Sequence, residues 1–231
     1  MAGITTVEGR AVPAAPAQAR AVGRKYVVEA IGTFFLVFTV AACGLSGSTF
    51  TPLAAGAVLM VMIYAGGHIS GGHYNPAVTM AVLCRGRIGF GEAIGYWVAQ
   101  LIAGVAAAAV ARALIAPATV RTLTLSGHAL TVAMLAEALF TFALCYVVLN
   151  VATSKDQQDN QFFGLAIGFT VAAGAFAVGG LSGAAFNPAV ALGAAVGGLF
   201  AWQTVWVYVL VQAVAGVLAG LVFRLLNPND R

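Results

Sequence analysis

The chain has 231 residues, 61% of them hydrophobic and only 8% charged. A water-soluble domain of this size cannot hide that much apolar surface, whereas about six membrane spans of ~20 residues fit the length in one bundle. The net charge of +4 does not point to nucleic acid, because the basic residues sit scattered at the edges of apolar runs and form no patch with interleaved aromatics.

Residues 1–24 are rich in Ala and Pro and lack the apolar core of a signal peptide, so they read as a disordered cytoplasmic tail, with 25–231 as one membrane domain. Uninterrupted apolar runs then predict spans near 26–46, 51–68, 89–111, 129–151, 161–180 and 201–225. Two further apolar pieces, 70–85 and 182–197, are too short to cross a bilayer, and each opens with glycines and an Asn-Pro. They read as re-entrant half-helices, with Pro76 and Pro188 at the first helical position, where a missing N–H costs nothing. Cys43, Cys84 and Cys145 lie in or beside apolar segments without metal-type spacing and read as small buried hydrophobes.

With the N-terminus inside, this topology puts Arg10, Arg20, Arg24, Lys25, Arg85, Arg87, Lys155, Arg224 and Arg231 in the cytoplasm and leaves Arg112 and Arg121 outside. Nine against two predicts that both termini are cytoplasmic. The expected location is the plasma (inner) membrane, as an integral protein.

The chain is written twice. At an offset of 112, Ser70-Gly71 returns as Ser182-Gly183, Asn75-Pro76-Ala77-Val78 as Asn187-Pro188-Ala189-Val190, and Tyr96, Gln100 and Gly104 as Tyr208, Gln212 and Gly216. At an offset of 108, Glu29 returns as Glu137. Each half, about 26–112 and about 130–225, holds three spans and one half-helix, and because three is odd the second half enters the membrane from the opposite side. The fold class is therefore an all-α membrane protein of six transmembrane helices plus two re-entrant half-helices in an inverted repeat. Half-helices that meet at mid-depth need a polar path to satisfy their backbone, which implies a pore or a substrate site.

The two loops, Ser70-Gly71-Gly72-His73-Tyr74-Asn75-Pro76-Ala77 and Gly183-Ala184-Ala185-Phe186-Asn187-Pro188-Ala189, resemble the paired Asn-Pro-Ala loops of the aquaporin (major intrinsic protein) family, and the resemblance covers 26–225. It implies a passive channel for water and small neutral solutes, a lipid bilayer environment, a homotetramer, no cofactor and no catalysis. By their side-chain chemistry, Asn75 and Asn187 are expected both to cap their half-helices and to donate side-chain N–H groups into the pore. The positive ends of both half-helices face that point and repel cations, which is the established account of proton exclusion in this family. Glu29 and Glu137 are intramembrane acids, which can mark an ion relay, but the resemblance gives them a quieter role as acceptors for loop backbone. His73 matches a pore-lining position, and the carbonyls of Gly72, His73, Gly183, Ala184 and Ala185 match the family's ladder of acceptors. Gln100 and Gln212 read as structural, and Gly216 with Gly220 permits close helix contact either within the fold or between subunits.

One departure from the family stands out. Three residues after the second asparagine, where most aquaporins carry an arginine, this chain has Val190, and the other filter positions carried over by spacing are Ala55, Ala175 and Ala184. The expectation is a wide, apolar filter that admits glycerol-like solutes or, by resemblance to arginine-less bacterial members, neutral metalloid or organoarsenical acids. The alternative is a water-selective channel in which an aromatic such as Phe176 or Phe186 refills the opening. A secondary transporter shares the inverted-repeat signature, but in the interior of the spans only Glu29 and Glu137 offer it an acid to bind a coupling ion. An intramembrane enzyme finds no catalytic arrangement or metal-ligand cluster in the spans.

Overall fold

The computed structural model describes residues 15–115 and 122–230. Among them are eight α-helices: α1 (Ala15–Ser46), α2 (Thr51–Ser70), α3 (Pro76–Arg85), α4 (Phe90–Leu114), α5 (Gly127–Thr153), α6 (Phe163–Ser182), α7 (Pro188–Val196) and α8 (Trp202–Leu226). All but α3 and α7 are long and apolar enough to cross a membrane. Their outward faces carry exposed Ile102, Leu139, Phe176 and Trp206, which water would disfavour and lipid accepts.

The first helix differs from expectation. It runs back to Ala15, into the stretch read as a tail, because Ala15, Ala17, Ala19 and Ala21 favour helix and Pro16 sits in the first turn, where it is tolerated. The remainder of that stretch, 1–14, lies outside the described residues, as does Arg121. The half-helices also start later than their apolar pieces. Gly71 (φ 91°) and Gly183 (φ 81°) end α2 and α6 in the left-handed conformation, irregular loops follow, and helix resumes only at Pro76 and Pro188.

The repeat is visible in the packing. Helix α1 packs on α4 as α5 packs on α8, and α3 lies on α8 as α7 lies on α4. Helices α2 and α6 cross at Gly56 and Gly168, so close that a Cβ on Gly56 would come 2.5 Å from the Gly168 carbonyl oxygen, and one on Gly168 would strike the Gly56 carbonyl in return. Gly216 meets the Ala77 carbonyl and Gly104 the Ala189 carbonyl, at 2.5 and 2.9 Å from where a Cβ would stand. The small-residue face of α8 is therefore spent inside the fold, on α3.

The half-helices point in from opposite ends. Beyond α3, Arg85 gathers the chain: its fully buried guanidinium reaches Asp230 Oδ1 at 2.7 Å, the Asp230 carbonyl at 3.1 Å and the Thr153 carbonyl at 2.9 Å, and it stacks 4.3 Å from the Phe223 ring centroid. Arg87 and the Lys155 N–H also reach the Asp230 carboxylate, at 3.2 and 2.9 Å. At the far end, Arg112 approaches the Val196 carbonyl at 3.4 Å, and a strand-like pairing joins Leu123 to Phe200.

Candidate pore

Each re-entrant loop holds strained backbone. Gly72 (φ 65°) and Tyr74 (φ 49°) in the first loop correspond to Ala184 (φ 53°) and Phe186 (φ 49°) in the second, and positive φ is costly for every residue here except glycine. A carboxylate holds each loop in place. Glu29 accepts four hydrogen bonds, from Ser70 Oγ (2.7 Å), His73 N (2.9 Å), Tyr74 N (2.7 Å) and Gln100 Nε2 (2.8 Å). Glu137 accepts the same four in the other half, from Ser182 Oγ (2.7 Å), Ala185 N (2.9 Å), Phe186 N (2.7 Å) and Gln212 Nε2 (2.8 Å). The full set of partners is what lets a carboxylate sit buried in an apolar bundle. Tyr96 and Tyr208 complete the frame by donating to the Ser70 and Ser182 carbonyls, at 2.5 and 2.7 Å.

The asparagines do two jobs at once. Asn75 Oδ1 caps α3 by accepting from Ala77 N at 2.8 Å, and Asn187 Oδ1 caps α7 by accepting from Ala189 N at 2.9 Å. Their amide nitrogens cross between the halves: Asn75 Nδ2 donates to the Phe186 carbonyl and Asn187 Nδ2 to the Tyr74 carbonyl, both at 2.9 Å. An amide has two hydrogens, so one on each asparagine remains for a passing oxygen. Pro76, Ala77, Pro188 and Ala189 are off the cavity wall; they start the half-helices, and the two alanines pack under Gly216 and Gly104.

Between the loops and four of the spans lies a narrow cavity of about 30 Å³. Its wall obeys the repeat residue by residue. At the offset of 108, Leu36 and Val40 of α1 pair with Leu144 and Val148 of α5; at 112, Ala55 and Leu59 of α2 pair with Ile167 and Val171 of α6. The loops and half-helices supply Gly72 with Ala184, His73 with Ala185, Asn75 with Asn187, and Val78 with Val190. Apart from Ala55, the span residues of this lining carry no motif that marks them, yet a signal is present in the sequence: each span contributes two apolar residues one helical turn apart, at positions the two offsets connect.

Of the four filter positions, Ala55, Ala184 and Val190 are on the wall. Ala175 is not; the face of α6 that meets the cavity carries Ile167 and Val171, one turn earlier. Gly183 is also off the wall, because its counterpart in the repeat is Gly71, the helix-ending residue, and the wall position is Ala184. Phe176 points outward and Phe186 is buried against Phe140, with ring centroids 5.4 Å apart, so neither aromatic lines the cavity. Among the described residues no charged side chain does.

The two ends of the cavity differ. His73 lines both the cavity and a polar vestibule of about 560 Å³ that also holds Lys25, His68, Arg87 and Glu92. Its Nδ1 is 3.0 Å from Thr79 Oγ1, which also receives Gln100 Nε2 at 3.0 Å. In the second half the corresponding residues are Ala185 and Ala191, and Gln212 Oε1 has no partner among the described residues. Below the vestibule, burial alone would raise the Asp230 carboxyl, but the Lys155 N–H and the Arg85 guanidinium outweigh it and hold the group at about 2.

The profile of the major intrinsic protein family matches residues 16–223. The chain belongs to the major intrinsic protein family. It is 39% identical to glycerol uptake facilitator protein-like 6 of Lactiplantibacillus plantarum over 217 residues, covering 90% of this chain and 100% of that one. It is 34% identical to a probable aquaporin NIP-type of Nicotiana alata, covering 90% and 79%. In structure it resembles the aquaglyceroporin of Plasmodium falciparum with a TM-score of 0.73 at 22% identity, over 87% of this chain and 95% of the other, a likeness of fold. Members of the family are channels, so the loops and cavity belong to a channel for water and small solutes and not to an enzyme.

Proposed function

We propose that this family member is a passive channel whose filter is apolar and that it admits small uncharged solutes as well as water. The observation that carries the reading is Val190 on the cavity wall, with Ala55 and Ala184, in a lining that has no charged side chain among the described residues. Without a guanidinium there, a solute meets methyl groups on one side and the carbonyl and asparagine edge of the loops on the other. That wall suits a molecule with hydroxyls on one edge and carbon on the other, and the similarity to a glycerol uptake facilitator-like protein puts glycerol first among candidates. Neutral metalloid or organoarsenical acids follow from the missing arginine. The helix ends behind Asn75 and Asn187 remain as the barrier to cations, while a second, arginine-based barrier is absent. Both termini are assigned to the cytoplasm of the plasma (inner) membrane, and the assembly to a homotetramer.

The small volume of the cavity favours a second reading, a water-selective channel through which molecules pass in single file. Stopped-flow light scattering on proteoliposomes separates the two, comparing shrinkage under an impermeant osmolyte with re-swelling under glycerol, urea and a neutral arsenical. The apolar-filter reading expects fast re-swelling that Val190→Arg slows by roughly tenfold, the effect of ~1.4 kcal/mol at the barrier, with water flux retained. Water flux without solute re-swelling in the wild type would establish the second reading. Accumulation driven by an ion gradient would replace both with a transporter.

A further inference from the structure

The cavity wall repeats position by position, but one pair in it differs in kind: His73, the ring at the vestibule end, corresponds in sequence to Ala185, which has no ring, whereas the other unequal pairs exchange one aliphatic residue or glycine for another. The place of the missing imidazole is nevertheless filled. In the first half His73 stands edge-on to Tyr96, with centroids 5.0 Å apart, and its Nε2 lies 3.3 Å from where a Cβ on Gly71 would be. In the second half the counterparts of Tyr96 and Gly71 are Tyr208 and Gly183. Against both of them lies Phe200, edge-on to Tyr208 at 5.7 Å and with Cε1 and Cζ 2.5 Å from the Cβ position of Gly183. The exposures of the two rings agree as well, 8% for His73 and 7% for Phe200.

We propose that Phe200 is a specificity-determining residue of the channel, the apolar counterpart of His73, which narrows the mouth opposite the vestibule. It comes from the link between α7 and α8, not from the re-entrant loop, and a separate segment fixes it there. Leu123 N donates to the Leu199 carbonyl at 2.8 Å, Ala201 N donates to the Leu123 carbonyl at 3.0 Å, and Leu123 Cδ2 lies 3.3 Å from the same Gly183 Cβ position. The two mouths then differ in chemistry: a solute meets an imidazole at one and a phenyl ring backed by leucine at the other. Size and lipophilicity are selected at the Phe200 mouth, ahead of the Val190 filter.

The test reads access and needs no knowledge of the physiological solute, so it stands apart from the solute assignment. Val190→Cys places a thiol on the wall in a background carrying Cys43→Ser and Cys84→Ser, while Cys145, at 0% exposure, stays out of reach. Purified protein in detergent is treated with methanethiosulfonate reagents of increasing size, and modification is followed by intact mass. With Phe200→Ala added, the larger reagents are expected to react roughly tenfold faster and the smallest little changed, with Phe200→Leu between and Phe200→Trp slower than wild type. Equal rates across the series would overturn the proposal and leave the Val190 filter standing. No reaction at position 190 in any background would overturn both, since neither residue would then lie on the accessible path. Reaction at Cys145 would mark an unfolded variant, and the Leu and Trp variants then decide.

Discussion

Glu137→Gln is the sharpest probe of how the second loop is held. Glutamine keeps the length and volume of the side chain but turns one carboxylate oxygen into an NH2 donor. Placed either way, that donor faces a backbone N–H that cannot turn aside: Ala185 N with Ser182 Oγ on one oxygen, or Phe186 N with Gln212 Nε2 on the other. At about 1.5–3 kcal/mol for each hydrogen bond to a charged group, two lost bonds amount to about 3–6 kcal/mol, and relief from burying a charge offsets part of it. A net loss of about 3 kcal/mol is expected, which at about 2–4 °C per kcal/mol lowers Tm by about 6–12 °C. Freed of its carboxylate, the loop relaxes from positive φ at Ala184 and Phe186, the Asn75 bond to the Phe186 carbonyl is disturbed, and permeability falls. The assay is thermal unfolding of purified protein beside proteoliposome water permeability. A variant with wild-type Tm and wild-type flux would refute the argument that this carboxylate braces the pore.

Two further outcomes follow from the same structure. Gly216→Ala puts a methyl carbon 2.5 Å from the Ala77 carbonyl oxygen and should cost about 1–3 kcal/mol by overpacking, read as a lower Tm, whereas Gly89→Ala, with open space around it, should leave Tm unchanged. Asp230, with an ordinary value of 3.8 held down to about 2, favours the folded state fully above pH 4 and loses that contribution as the pH falls from about 4 towards 2. Asp230→Asn is therefore expected to lower Tm by a few degrees at neutral pH, and the gap to wild type should close in acid; a gap constant down to pH 2 would contradict the assignment.

Much of the molecule is legible in the sequence because the relevant signals are local or recur at fixed spacing. Apolar runs mark the six spans, Asn-Pro marks each half-helix start, and the offsets of 112 and 108 expose the repeat. The same offsets connect Leu36 with Leu144 and Leu59 with Val171, so even the aliphatic part of the cavity wall that no motif marks is encoded in them. The sequence could not decide which face of each helix turns inward. Spacing from Asn187 selected Ala175, but the rotation of α6 is set by its crossing with α2 at Gly168 and brings Ile167 and Val171 to the wall instead. Likewise no local pattern ties Phe200 to Tyr208 and Gly183, or carries Asp230 to Arg85, 145 positions away in the chain; these contacts exist only once the bundle has closed. The sequence by itself determined the class, the spans and the duplicated loops, since hydrophobicity and helix capping act over a few residues. The tertiary structure alone decided what each helix shows to the pore and how each mouth is closed, because helix rotation and loop docking depend on packing among all the spans at once.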